Sequence, residues 1–146
     1  MNVCAKYVKL KPNAHVPTQG SCMAAGYDLY ACIPESITVD PFATAQIGTG
    51  LAIQPPVGYF GAIFARSGLA TKQSLRPANC VGVCDEDYTG EYIVALHNDS
   101  YVTRTIQNGD RIAQLVFLPY VNVEWEEAEE LEETTRGDGG FGSTGQ

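Results

Sequence analysis

Glycine and proline interrupt this chain every few residues: Pro12, Pro17, Gly20, Gly26, Pro34, Pro41, Gly48, Gly50, Pro55, Pro56, Gly58, Gly61, Gly68, Pro77, Gly82, Gly90, Gly109 and Pro119. Helices of ordinary length cannot run through such spacing, because proline removes a backbone donor and glycine costs backbone entropy. Together the 15 Gly and 8 Pro of the 146 residues exceed the usual share of roughly 12%, which favours a turn-rich β protein over a helical bundle. Between the breaks, residues 44–53, 59–64, 92–96 and 112–118 are rich in β-branched and aromatic side chains and have the length of strands. Many short strands predict a sandwich or barrel. One short helix is expected from Ser67 towards Leu75, with Ser67 as its cap. The length fits one domain, and no apolar run approaches the ~18 residues of a spanning helix.

The formal charge of −8 argues against a nucleic-acid surface, where a basic stripe supplies the affinity. Its distribution sharpens that reading. Seven of the 17 acids, Glu124, Glu126, Glu127, Glu129, Glu130, Glu132 and Glu133, fall in residues 124–133, where there is no Lys or Arg. Subtracting those seven leaves −1 for the rest, so a single small anion meets little overall opposition although polymeric nucleic acid does. Val121, Val123 and Trp125 alternate with polar residues, which predicts a strand at the start of the acidic run before it turns helical or extended.

The five cysteines (4, 22, 32, 80 and 84) are odd in number, and the N-terminal residues carry no signal-peptide apolar region, so free thiols in an intracellular, cytoplasmic setting are expected. In a eukaryotic or viral host the setting extends to the nucleus. Cys80 and Cys84 lack the second ligand pair that structural zinc needs.

Three stretches carry chemistry. Residues 82–96 read as a β-hairpin with an acidic tip, Asp85-Glu86-Asp87, in which Asp85 and Asp87 share a face and Glu86 points away. An ordinary acidic turn has the same pattern. Ala65-Arg66-Ser67-Gly68 joins a cation, a hydroxyl and a glycine at a helix start, which suits an anion or simple capping. Residues 136–146 hold five glycines and cannot bury a core face, so they read as a mobile arm beyond a domain of residues 1–135. In that arm Arg136, Ser143 and Thr144 can wrap phosphate oxygens. Phe141 has no core to join and can close on a flat ring, for which base stacking supplies roughly 1–3 kcal/mol.

Five segments, Ala25-Gly26-Tyr27-Asp28-Leu29, Ala65-Arg66-Ser67-Gly68-Leu69-Ala70, residues 82–90, residues 109–115 and residues 136–145, resemble in order the five motifs of the trimeric dUTP pyrophosphatase (dUTPase) family. The resemblance spans residues 25–145. It implies a distorted jelly-roll β-barrel, a homotrimer with exchanged C-terminal arms, and Mg²⁺-assisted hydrolysis of dUTP to dUMP and pyrophosphate by water attack on the α-phosphorus. Such an enzyme keeps uracil out of DNA and supplies dUMP.

By this likeness Asp85 orients and deprotonates the water. An aspartate is a weak base, so its positioning contributes more than its proton affinity. Tyr88 packs against the deoxyribose C2′ to exclude a 2′-hydroxyl. Asn79, Gly82, Val83, Cys84 and Ile93 hold uracil largely through backbone groups, and cytosine leaves them unpaired. Ser67 and Gly68 bind phosphate oxygens with Arg66 beside them, and Gln114 contacts the α-phosphate or the attacking water. Asp28 reaches Mg²⁺ through water, the ion being held mainly by the phosphates. Phe141 with Gly142 covers uracil, and Arg136, Ser143 and Thr144 clamp the β- and γ-phosphates.

The chain departs from the family pattern at Ala65, where proline is usual, at Cys84, where isoleucine is usual, and through residues 74–80. Asp110 and Arg111 read as a structural pair at a strand end, and His97 as structural. Two other readings stand beside this one: a dCTP deaminase of the same superfamily, and a regulatory binding protein that uses the acidic segment 124–133. Neither a membrane nor polymeric nucleic acid is an expected partner.

Overall fold

The computed structural model describes residues 3–79 and 81–142, so Cys80, Ser143 and Thr144 lie outside the described residues. The strands are β1 (Lys6–Lys9), β2 (Thr18–Gln19), β3 (Tyr27–Tyr30), β4 (Ile37–Val39), β5 (Thr44–Gln54), β6 (Tyr59–Phe64), β7 (Leu75–Pro77), β8 (Gly82–Cys84), β9 (Glu91–Asn98), β10 (Arg104–Ile106) and β11 (Arg111–Pro119). The helix is α1 (Ser67–Gln73). A four-stranded sheet in the order β1-β5-β9-β7 and a five-stranded sheet in the order β2-β3-β11-β6-β8 enclose the core, and β4 pairs with β10 separately. All these pairings are antiparallel. The four strands expected from composition form, with their ends shifted by three residues at most.

Alternation puts Tyr92, Val94 and Leu96 of β9 and Ala113 and Leu115 of β11 inside, where they meet Leu29, Ile47 and Leu51. The β5 alternation breaks at a bulge between Gly48 and Ala52. Gly50 makes the bulge possible: its φ is +68°, and a Cβ there would stand 2.9 Å from the Cys32 sulfur and 3.0 Å from the Ala14 Cβ. The Glu91 carboxylate accepts the Gly50 N–H at 2.8 Å, so the bulge is anchored to the strand carrying Tyr92.

Four expectations change. Residues 82–96 are not a hairpin: β8 pairs with β6 and β9 pairs with β5 and β7, so the acidic tip is a crossover from one sheet to the other. Period-2 patterning reports strands but not their partners. Ser67 does not cap α1. Arg66 occupies the cap position in an extended conformation without a side-chain cap bond, and Ser67 is already helical. No strand forms at 121–125, because those residues pass no partner backbone in the chain and Val121, Val123 and Trp125 stand exposed. Asp110 and Arg111 do not pair with each other: Asp110 accepts the Gln107 N–H, and Arg111 reaches Asp28.

His97 is structural as expected, since its Nδ1 lies 2.9 Å from the Thr44 hydroxyl and its Nε2 3.4 Å from Asp99. Cysteines 4, 22, 32 and 84 are free thiols. Among the described residues no helix is long and apolar enough to cross a membrane.

Candidate active site

The expected site residues gather into two clefts with no lining residue in common. Asn79, Gly82, Val83, Cys84, Asp85, Tyr88 and Ile93 line a cavity of about 210 Å³, together with Ile63, Glu91 and Tyr92. Asp28, Arg66, Ser67, Gly68 and Gln114 line another of about 700 Å³, with Gly26, Phe64, Ala65 and Arg111 among its other walls. Ile63 and Phe64 are consecutive on β6 and so point to opposite faces of the sheet. The first lines the smaller cleft and the second the larger, so adjacent residues of β6 serve different clefts.

The larger cleft is built on one row across the five-stranded sheet. Asp28 of β3, Gln114 of β11 and Phe64 of β6 are register partners and share its outer face. The Asp28 carboxylate receives Arg66 Nε at 2.8 Å on one oxygen and an Arg111 guanidinium nitrogen at 3.3 Å on the other. Gln114 donates its amide to the Ala65 carbonyl at 2.8 Å, and its other end packs on Gly26, where any Cβ would displace it. Two arginines and the first turn of α1 therefore converge on a space that suits phosphate oxygens.

Gly68 is informative. A Cβ there would meet nothing within 4 Å, and its φ lies outside the left-handed region, so neither packing nor backbone of this chain requires glycine. Alanine favours a helix by about 1 kcal/mol over glycine.

In the smaller cleft the acidic tip is a turn, closed by Tyr88 N–H to the Asp85 carbonyl at 3.2 Å. Asp85 and Asp87 are exposed and Glu86 half-buried, but the tip is a turn and not the extended run from which a shared face was expected, and all three line one further cavity. Glu86 accepts from Gly58 N–H at 2.8 Å and from the Tyr120 hydroxyl at 2.7 Å, and these bonds hold its carboxyl below the ordinary range. Tyr88 donates its hydroxyl to the Glu91 carbonyl at 3.0 Å. Beneath it, burial and then the neighbouring Cys84 thiol push the Tyr92 phenol far up, so it stays protonated. Burial likewise raises the Cys84 thiol, against the lowering effect of the Tyr92 hydroxyl.

Arg136, Phe141 and Gly142 line neither cleft. The Arg136 Nε donates to the Gly139 carbonyl at 2.8 Å, and the Phe141 ring is fully exposed. Sequence reasoning missed Ile63, Glu91 and Tyr92 of the smaller cleft and Phe64 and Arg111 of the larger. The inward register of β9 marks Tyr92 as buried, but nothing in the linear pattern brings Arg111 to Asp28. Among the described residues no three His, Cys, Asp or Glu side chains cluster to hold a metal ion, and both Asp28 oxygens already face arginines. This donor set fits a Mg²⁺ that arrives on a polyphosphate and keeps its waters, with Asp28 at one remove.

A family model described as dUTPase matches residues 12–145. The deoxyuridine 5′-triphosphate nucleotidohydrolase of Desulfitobacterium hafniense is 47% identical over 140 residues, covering 95% of this chain and 93% of that protein. Its namesake from Acinetobacter baumannii is 42% identical over 132 residues, covering 90% and 88%. Among solved structures, a variant of the Staphylococcus bacteriophage 80alpha dUTPase with dUpNHpp superposes with a TM-score of 0.89 at 28% identity, over 98% of this chain and 99% of that one. A variant dUTPase from phage phi11 of S. aureus, described as coordinating a structural Mg(II) ion, superposes at 0.80 with 26% identity, over 89% and 99%.

Proposed function

The chain belongs to the dUTPase family, and from that premise we infer that it hydrolyses dUTP to dUMP and pyrophosphate at a site assembled between copies of itself. The observation that carries the reading is the partition of its motif residues into two clefts that share no lining residue. One cleft has the polar backbone and aromatic wall a nucleoside needs, and the other has the arginines and helix start a triphosphate needs. No residue of the chain lines both, and two copies would join them, with the nucleoside cleft of one facing the phosphate cleft of the next, as in the homotrimer typical of the family.

In this assembly uracil sits against Asn79, Gly82, Val83, Cys84 and Ile93, and Tyr88 closes on the 2′ carbon. The phosphates meet Arg66, Ser67 and Gly68. Asp85 orients a water against the α-phosphorus and accepts its proton as the new P–O bond forms. The bond to the bridging oxygen breaks, and pyrophosphate leaves with the electron pair. Gln114 props the Ala65 carbonyl and so shapes the phosphate turn. Residues 136–146 act as an arm lent by a further copy, with Phe141 and Gly142 over uracil and Arg136, Ser143 and Thr144 on the outer phosphates. Asp28 is the residue that would hold the waters of a Mg²⁺ carried on the substrate, an ion that would supply neutralisation of phosphate charge.

A protein-contact role is a second reading, favoured by the exposure of residues 121–135 throughout. A relative, the bacteriophage 80alpha dUTPase, is described as controlling transfer of virulence genes. Pull-down with and without dUpNHpp tests it. The hydrolytic reading is tested by pyrophosphate release from dUTP, dTTP, dCTP and UTP with Mg²⁺. Release from dUTP alone is expected, and conversion of dCTP to dUTP or dUMP would favour a deaminase instead.

A further inference from the structure

We propose that Tyr92 is a positioning residue for substrate selection: buried behind Tyr88, its ring sets how far the Tyr88 ring stands into the nucleoside cleft and so how strictly a 2′-hydroxyl is refused. The proposal rests on the reading of that cleft given above.

Tyr88 by itself is poorly restrained, since it lies in an irregular turn and is 44% exposed. Three neighbours hold it. Its hydroxyl is tied to the Glu91 carbonyl. Its ring lies over Gly90, where a Cβ would stand 2.6 Å from Cζ and 2.9 Å from Cε2. The Tyr92 ring lies behind it, with centroids 6.2 Å apart and planes inclined by 32°, within the range of attractive aromatic pairs. Of the three, Tyr92 is the fixed point. It is 1% exposed in the core, and its carbonyl accepts the Thr49 hydroxyl at 2.7 Å across the β5 bulge.

Its hydroxyl shows that the ring is there for more than burial. That oxygen is buried with no well-formed hydrogen bond among the described residues and only the weak Cys84 thiol beside it, a poor partner for a buried phenol. It ends against Gly61, where a Cβ would stand 3.0 Å from it, so the opposite strand is relieved to admit it. Leucine would fill an inward β position without a poorly paired polar atom. Leucine cannot back Tyr88 with a flat, stiff surface. Stiffness matters because a yielding apolar pocket refuses an added hydroxyl by only ~100-fold.

The test measures kcat and KM for dUTP and UTP in wild type, Tyr92→Phe and Tyr92→Leu, with thermal unfolding of each. Tyr92→Phe keeps the ring and is expected to keep the dUTP-to-UTP preference within about twofold, with unchanged or higher stability. Tyr92→Leu is expected to lose about tenfold or more of that preference, mainly through a lower KM for UTP. A folded Tyr92→Leu with unchanged preference overturns the proposal. If that variant does not fold, Gly61→Ala takes its place: its Cβ presses on the Tyr92 hydroxyl and must shift the preference, and no shift is equally fatal. A wild type that prefers dUTP while every variant keeps its ratio sinks this inference alone. A wild type that does not hydrolyse dUTP sinks both readings.

Discussion

Arg66 Nε donates to Asp28 Oδ1 at 2.8 Å, so the cation at the mouth of the phosphate cleft is aimed by a carboxylate from two strands away. Arg111 takes the other oxygen at 3.3 Å. The bridge is partly buried, which makes it an orienting device more than a source of stability.

Asp28→Asn removes the charge that aims both arginines. A charge-assisted bond contributes about 1.5–3 kcal/mol when buried, and partial exposure reduces this to about 1 kcal/mol. We expect kcat/KM for dUTP to fall by roughly tenfold, with an unfolding temperature close to that of wild type. Unchanged kinetics would show that the arginines need no guide.

Gly68→Ala separates stability from activity. A methyl group there finds open space, so the helix is expected to gain up to about 1 kcal/mol from propensity. Turnover of dUTP is expected to drop, because the added carbon stands where phosphate oxygens approach. A variant both more stable and fully active would remove Gly68 from the binding surface.

Asp85→Asn preserves shape and removes the proton acceptor. Binding of dUpNHpp, measured by calorimetry, is expected to persist while kcat falls by about 10²–10⁴. Near-normal turnover would assign the base elsewhere.

Glu86 supplies a pH test. Its folded carboxyl titrates below the ordinary value of 4.5 because the Tyr120 hydroxyl and then the Gly58 N–H bind its charged form. The stability it contributes is therefore present above that ordinary value and lost as pH falls through the lower folded value. Comparing Glu86→Gln with wild type by denaturant unfolding, we expect a difference at pH 7 that disappears in acid. A difference independent of pH would rule out the carboxylate as its source.

Ending the chain at Thr135 removes the arm but no core residue. The shortened protein is expected to keep its unfolding temperature and oligomeric state and to lose most turnover. Full activity would leave residues 136–146 without a role in the reaction.

The strand content was legible because β-branched and aromatic runs between glycines and prolines admit little else. Of the residues expected at the site, Asp28, Arg66, Ser67, Gly68 and Gln114 come together on one cleft and Asn79, Gly82, Val83, Cys84, Asp85, Tyr88 and Ile93 on the other, whereas walls such as Ile63, Phe64, Glu91, Tyr92 and Arg111 join them only through the fold. The failures share one cause. The apparent hairpin at 82–96, the pair Asp110–Arg111 and the strand at 121–125 were each inferred from nearby residues, whereas pairing is settled by whichever backbone or charge lies across the gap.

The sequence by itself determined the β class, the family and the chemistry available: one aspartate, a run of anion-binding groups and a glycine-rich tail. These depend on residue type and local spacing, which a linear pattern carries. Only the tertiary structure decided that β8 and β9 part into different sheets, that Asp28 gathers two arginines, and that the motif residues divide between two clefts with no lining residue in common. These relations join residues distant in sequence, because β6 pairs with β8 on one side and β11 on the other, and no local pattern carries that.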